Sequence, residues 1–207
     1  MSNIFEVLAQ GGLVMVPLAI CSILSLAIII EKFFVYRKKK IFKPEVVSIV
    51  QNISSSDDYK MALNICQKYT SPLSNLVNII LSNHDQPLED IKEDVVDQGR
   101  QEIRFLERGL TILETVAAIA PILGLLGTVL GMIKVFSVIS LQGVGDAASL
   151  SSGISEALIS TAIGLSIGIP TLVFYNYFDR RAQNIILDIE NISNDLIRRI
   201  RKNKSVA

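Results

Sequence analysis

The sequence predicts an all-α, polytopic membrane protein with three transmembrane helices, two of them extended far into the cytoplasm. Two observations lead there. First, residues 11–30, 115–133 and 157–178 contain no Asp, Glu, Lys or Arg, and each run is about the 20 residues a helix needs to cross roughly 30 Å of hydrocarbon. Second, charge is placed asymmetrically although it sums to zero over the 207 residues. Arg37, Lys38, Lys39, Lys40, Lys43, Arg100, Arg104 and Arg108 lie between the first and second runs, and Arg180, Arg181, Arg198, Arg199, Arg201, Lys202 and Lys204 follow the third. Residues 1–12 and 137–152 hold no Lys or Arg. By the positive-inside rule, residues 37–109 and 179–207 are cytoplasmic, and the N-terminus and the short loop face the other side. Half of the residues are hydrophobic and the mean hydropathy is +0.44, high for a soluble domain of this size.

Residues 1–12 read as a short amphipathic leader, with Ile4, Phe5 and Leu8 against the membrane surface and Glu6 in water. With no basic n-region, a cleavable signal peptide is not expected. The first transmembrane helix, residues 13–36, has an Ile- and Leu-rich middle that suits a lipid-facing helix. Glu31 and Lys32 fall at its inner boundary, where long side chains snorkel. Cys21 and Cys66 lie in different compartments on this topology, so no disulfide framework is expected.

Residues 37–109 form the one sizeable polar segment. Short helices are expected over 44–52, about 58–69 (capped by Asp57) and 72–82. The last starts with Ser71 as cap and proline at the first helical position, and Leu73, Leu76, Val77, Ile80 and Leu81 make its apolar stripe. From Leu88 the helical periodicity continues through Ile91, Val95, Ile103 and Leu106, with only Gly99 and Gly109 as weak interruptions. One helix is therefore expected from about Leu88 to Ile139, about 78 Å long at 1.5 Å per residue. After the third span, Ile185, Ile189, Ile192, Leu196 and Ile200 keep an apolar stripe through residues 179–207. That tail needs something to pack on, and Leu88–Leu110 is the obvious candidate. His84, the single histidine, falls in a turn and reads as a solvated surface residue. No metal-ligand cluster, nucleophile–base arrangement, phosphate-binding glycine loop or nucleotide motif is present. An enzyme, a cofactor and a nucleic-acid partner are not expected.

The transmembrane helices over 110–139 and 153–178, joined by a short loop at 140–152, hold what needs explaining. Ala117, Pro121, Gly124, Thr128 and Gly131 fall at helical spacing, as do Ala157, Thr161, Gly164, Gly168 and Thr171. Small residues at such spacing let helix backbones approach closely in lipid. Packing, between these helices or between subunits, is thus the plain reading for Gly124, Gly127, Gly131, Gly164 and Gly168. Pro121 and Pro170 can kink their helices and free carbonyls. Each threonine could simply bond to the carbonyl four residues back. Glu156 is harder to dismiss, because an ionisable residue in a span marks a functional site by default. It sits near the outer end of its helix, and Lys134 could pair with it or with Asp146.

The blocks APILGLLGTVLGMIKVF and GISEALISTAIGLSIGIPTLVFYN, with LAQGGLVMVPLAICSILSLAIIIEK at the start, resemble the ExbB/TolQ/MotA proton-channel family. Three spans and about 200 residues look like its ExbB/TolQ branch, and most like ExbB. The resemblance implies a homopentamer in the bacterial inner membrane around a single-span subunit of the ExbD/TolR type, whose transmembrane Asp carries the proton. It implies that the second and third helices line the pore, with Thr128, Thr161 and Glu156 on the proton pathway. The work driven would fall on a TonB- or TolA-like envelope protein, in biopolymer or nutrient import. TolQ-like envelope maintenance and a non-conducting scaffold are the alternatives. Lys134 departs from the family, which often has an uncharged polar residue there.

Overall fold

The structure, a computed structural model, describes residues 12–37, 41–53, 57–142 and 147–204. All regular elements among them are α-helices: α1 (Met15–Val35), α2 (Pro44–Asn52), α3 (Asp57–Lys68), α4 (Pro72–Ser82), α5 (Leu88–Glu107), α6 (Leu110–Gln142) and α7 (Ala147–Lys204). Helices α1, α6 and α7 are each long and apolar enough to cross a membrane. The last two exceed that need, at 33 and 58 residues. The leader, apart from Gly12, lies outside the described residues, as do Lys38–Lys40 and Asp146.

The chain divides into two units, one of residues 1–30 and 109–178, the other of residues 31–108 and 179–207. The first holds the apolar helices. Ile20, Ile23, Leu26, Ile122, Leu125, Val129, Leu158, Ile169 and Val173 are all exposed on it. Such a surface is costly in water and costs nothing against lipid tails.

The second unit is a small helical bundle with its own core. Val46, Val50, Tyr59, Ala62, Cys66, Leu73, Val77, Ile80, Leu81 and Ile91 close on Leu196, Ile197 and Ile200 of α7. Ser71 caps α4 as its sequence predicts: its Oγ accepts from the Ser74 N–H at 3.2 Å, ahead of Pro72 at the first helical position. This core bears out the expected contact of the tail with Leu88–Leu110 and adds the short helices to it. The tail's end fills the bundle of short helices and meets the start of α5 at Ile91, and its earlier part, Ile186 and Ile189, lies beside Leu76 of α4 and Ile103 and Leu106 of α5.

Two corrections concern the ends of helices. The single helix expected over Leu88–Ile139 is two. It breaks at Arg108–Gly109, where Arg108 is extended (ψ 126) and Gly109 takes φ +88, a left-handed conformation that suits glycine. Gly99, by contrast, stays helical. The periodicity was continuous across both glycines, so only the backbone conformation separates them. Lys32 does not snorkel. It is 1% exposed, and its Nζ donates to the Leu106 carbonyl at 2.7 Å, where the Tyr36 hydroxyl also donates at 2.6 Å. That carbonyl belongs to the last turn of α5, which has no intrahelical donor once the helix ends. The ammonium also complements the negative end of the helix dipole. Arg181 Nε donates to the Tyr36 carbonyl at 3.1 Å, tying α7 to the same junction.

α6 runs to Gln142 and α7 begins at Ala147, so both helices reach into the stretch 140–152. His84 is half-buried rather than fully solvated, with Nδ1 2.8 Å from the Leu81 carbonyl and its ring edge-on to Tyr59 at 5.1 Å.

Candidate functional site

Helices α6 and α7 meet along a seam of small residues. On α6 the buried positions are Ala117, Ala120, Gly124, Gly127, Gly131 and Val135. On α7 they are Gly153, Ala157, Ser160, Gly164, Gly168 and Thr171. Spacings of three and four keep each set on one face. A Cβ built on Gly164 would lie 2.8 Å from Gly124 Cα and 2.6 Å from the Ala120 carbonyl oxygen. One on Gly131 would lie 2.9 Å from Ala157 Cβ, and one on Gly168 2.6 Å from Pro121 Cγ. Two backbones in contact at this range leave no room for a side chain, so these positions need glycine for proximity rather than for conformation. Pro121 and Pro170 both lie inside unbroken helices, Pro121 against Gly168 and Pro170 exposed.

The seam contains a residue that the stripes passed over. Ser160 is fully buried against Gly127, and its Oγ donates to the Glu156 carbonyl at 2.9 Å. Its signal was present in the sequence, since Gly153, Ala157, Ser160 and Gly164 follow helical spacing as well as any set containing Thr161.

Thr128 and Thr161 border the seam and are half-buried. Their hydroxyls meet in a short hydrogen bond. The Thr161 Oγ1 also reaches the Gly124 carbonyl at 3.0 Å, and Thr128 Oγ1 reaches the same oxygen at 3.4 Å. Two hydroxyls offer two protons, and here the nearest acceptors are each other and one carbonyl. One O–H can therefore turn outward to a further acceptor while the other holds the pair together. Glu156 lies one and a half turns along α7 from Thr161. Its carboxylate pairs with Lys134 Nζ at 2.7 Å, while Asp146, the other partner open to Lys134, lies outside the described residues.

Residues 65–191, more than half of the chain, match the MotA/TolQ/ExbB proton channel family. The chain belongs to that family. It is 31% identical over 170 residues to an ExbB-like biopolymer transport protein of Synechocystis sp., covering 81% of both chains. It is 32% identical over 180 residues to the biopolymer transport protein ExbB of Salmonella typhimurium, covering 81% of this chain and 72% of the relative. A homologue of ExbB from Methanothermobacter thermautotrophicus is 27% identical over 191 residues, or 92% of this chain and 68% of the relative. Thr128, Glu156, Thr161 and the whole glycine seam fall inside the region matched to the proton channel family. The three apolar helices fit a membrane-embedded member of it.

Proposed function

We propose that this protein is the proton-channel subunit of an inner-membrane, ExbB-like motor that couples proton-motive force to work on a TonB-type envelope partner, and that it is not itself an enzyme. The observation that carries the reading is the Thr128–Thr161 hydroxyl pair, held at the edge of a glycine seam inside an otherwise apolar segment. A hydroxyl donates and accepts at once, so the pair can exchange hydrogen bonds with an acid brought beside it. No span of this chain carries an Asp. The acid is therefore assigned to a partner, a single-span subunit of the ExbD/TolR type, enclosed by five copies of this chain. Glu156 completes the pathway at the outer mouth, with the N-terminus periplasmic and the C-terminus cytoplasmic. Each proton crossing 100 mV releases about 2.3 kcal/mol, enough for a modest conformational step.

Two experiments test this. Native mass measurement of the complex extracted through a tag after Ala207 should give five copies with two of a small single-span protein. Thr161→Val keeps nearly the same shape without the hydroxyl, and Glu156→Ala removes the acid. Both should leave that mass unchanged and abolish proton-driven work. Full work in both variants, at parental protein levels, would remove these residues from the pathway.

One observation favours a second reading, a non-conducting scaffold. The Gly124 carbonyl can satisfy both threonines within the subunit. On that reading Thr128→Val and Thr161→Val are silent.

A further inference from the structure

Glu156 is held on two sides. Its Oε2 pairs with Lys134, whose own side chain is mostly exposed. Its Oε1 rests against the Cα of Gly12, at the turn that opens α1, and a Cβ on Gly12 would fall on that oxygen. Gly12 takes φ +73, and its carbonyl accepts from the Met15 N–H at 3.1 Å. The turn is thus left-handed and lies directly over the carboxylate. The three residues come from three helices or their ends, α1, α6 and α7, within one unit of the fold. In the sequence Gly12 is more than a hundred residues from the other two, and only Lys134 and Glu156 invite pairing.

We propose that Lys134 and Gly12 are positioning residues for Glu156, forming a clasp that holds its carboxylate in one orientation on its own subunit. Lys134 supplies the charge-assisted bond and sets the direction of the side chain. Gly12 supplies the close wall, which only a residue without a side chain can form. Both carboxylate oxygens are then covered, and Glu156 reaches anything else, including a neighbouring subunit, only after the clasp opens. The importance of the clasp to transport rests on Glu156 lying in the proton pathway, but its existence does not.

Carbodiimide labelling of Glu156 in the intact complex, read by peptide mass spectrometry, tests the clasp directly. Glu114, exposed on α6, serves as the internal reference. Labelling of Glu156 should be slow in the parent, and several-fold faster in Lys134→Met, which removes the cation from an exposed position at little cost to folding. Lys134→Arg should restore slow labelling, as a merely structural lysine would have no reason to do. Gly12→Asn, which tolerates the left-handed turn yet adds a side chain, should also speed labelling by pushing Glu156 aside. Equal rates in the parent, Lys134→Met and Gly12→Asn would overturn the clasp. Proton-driven work of Glu156→Gln, measured separately, bears on the pathway alone. A silent Glu156→Gln with fast labelling in Lys134→Met would keep the clasp and remove its role in transport.

Discussion

Gly164 is where the two seam backbones come closest, and its substitution tests the seam most sharply. Gly164→Leu places a branched side chain where even a Cβ meets Gly124 Cα at 2.8 Å. Overpacking of this kind typically costs about 1–3 kcal/mol, and more where backbone must move. Thermal unfolding in detergent should fall by several degrees. Gly99→Ala, open around its would-be Cβ, should be neutral or slightly stabilising. At Cys66 the prediction concerns pH. Burial in the second unit's core pushes the thiol up to about 11, against an ordinary value of 9.0. The neutral thiol is the form the fold favours. Its contribution to stability is therefore complete below pH 9 and is lost as pH rises from 9 towards 11. Maleimide should leave Cys66 unmodified in the native protein at pH 8 and modify it once the second unit is unfolded. Thr128, Thr161 and Glu156 were legible as residues to explain, because polar groups stand out in apolar runs. Ser160 showed only in the spacing of its neighbours and Gly12 not at all, since neither is unusual until something packs against it.

At the scale of elements, the end of α5 is the informative place. A helix that stops at Arg108–Gly109 leaves the Leu106 carbonyl without an intrahelical donor, and Lys32 of α1 and Tyr36 just after it supply two. With two donors on one acceptor, losing either leaves the other in place. Tyr36→Phe alone should cost about 1 kcal/mol, the usual net value of one hydrogen bond. Lys32→Met alone should cost little, since it also relieves the burial of a charge. The double variant orphans the carbonyl and should cost more than the sum of the two, by about 1 kcal/mol or more. A double-mutant cycle of thermal stability measures this coupling, and strict additivity would show that the two donors act independently. Helix existence was readable from periodicity throughout, and Ser71-Pro72 marked one start correctly. The break at Gly109 was not readable, because hydrophobic spacing runs through it without a phase change.

Across the whole molecule, the tail of α7 completes a core begun more than a hundred residues earlier. Leu196, Ile197 and Ile200 close on Val46, Val50, Leu73 and Ile80. Their contacts are long-range, and the second unit cannot finish folding until the last segment of the chain is available. Leu196 is fully buried. Leu196→Ala should cost about 2–5 kcal/mol through lost transfer energy and the cavity left behind. It should raise hydrogen exchange across α2, α3 and α4 while leaving the α6–α7 seam protected, and equal loss of protection in both units would show that they fold as one.

Some of this protein was determined by the sequence alone. The all-helical class, the three spans and the family follow from charge-free runs of bilayer length and from two motif blocks, which are local and one-dimensional signals. The amphipathic tail announced that it needed a partner. Tertiary structure decided which partner it found, where α5 ends, that Lys32 turns inward to a carbonyl, and that Gly12 lies over Glu156. Each of these is a choice among contacts equally compatible with the local pattern. Such choices are settled by which groups distant in sequence arrive together and pair their polar atoms.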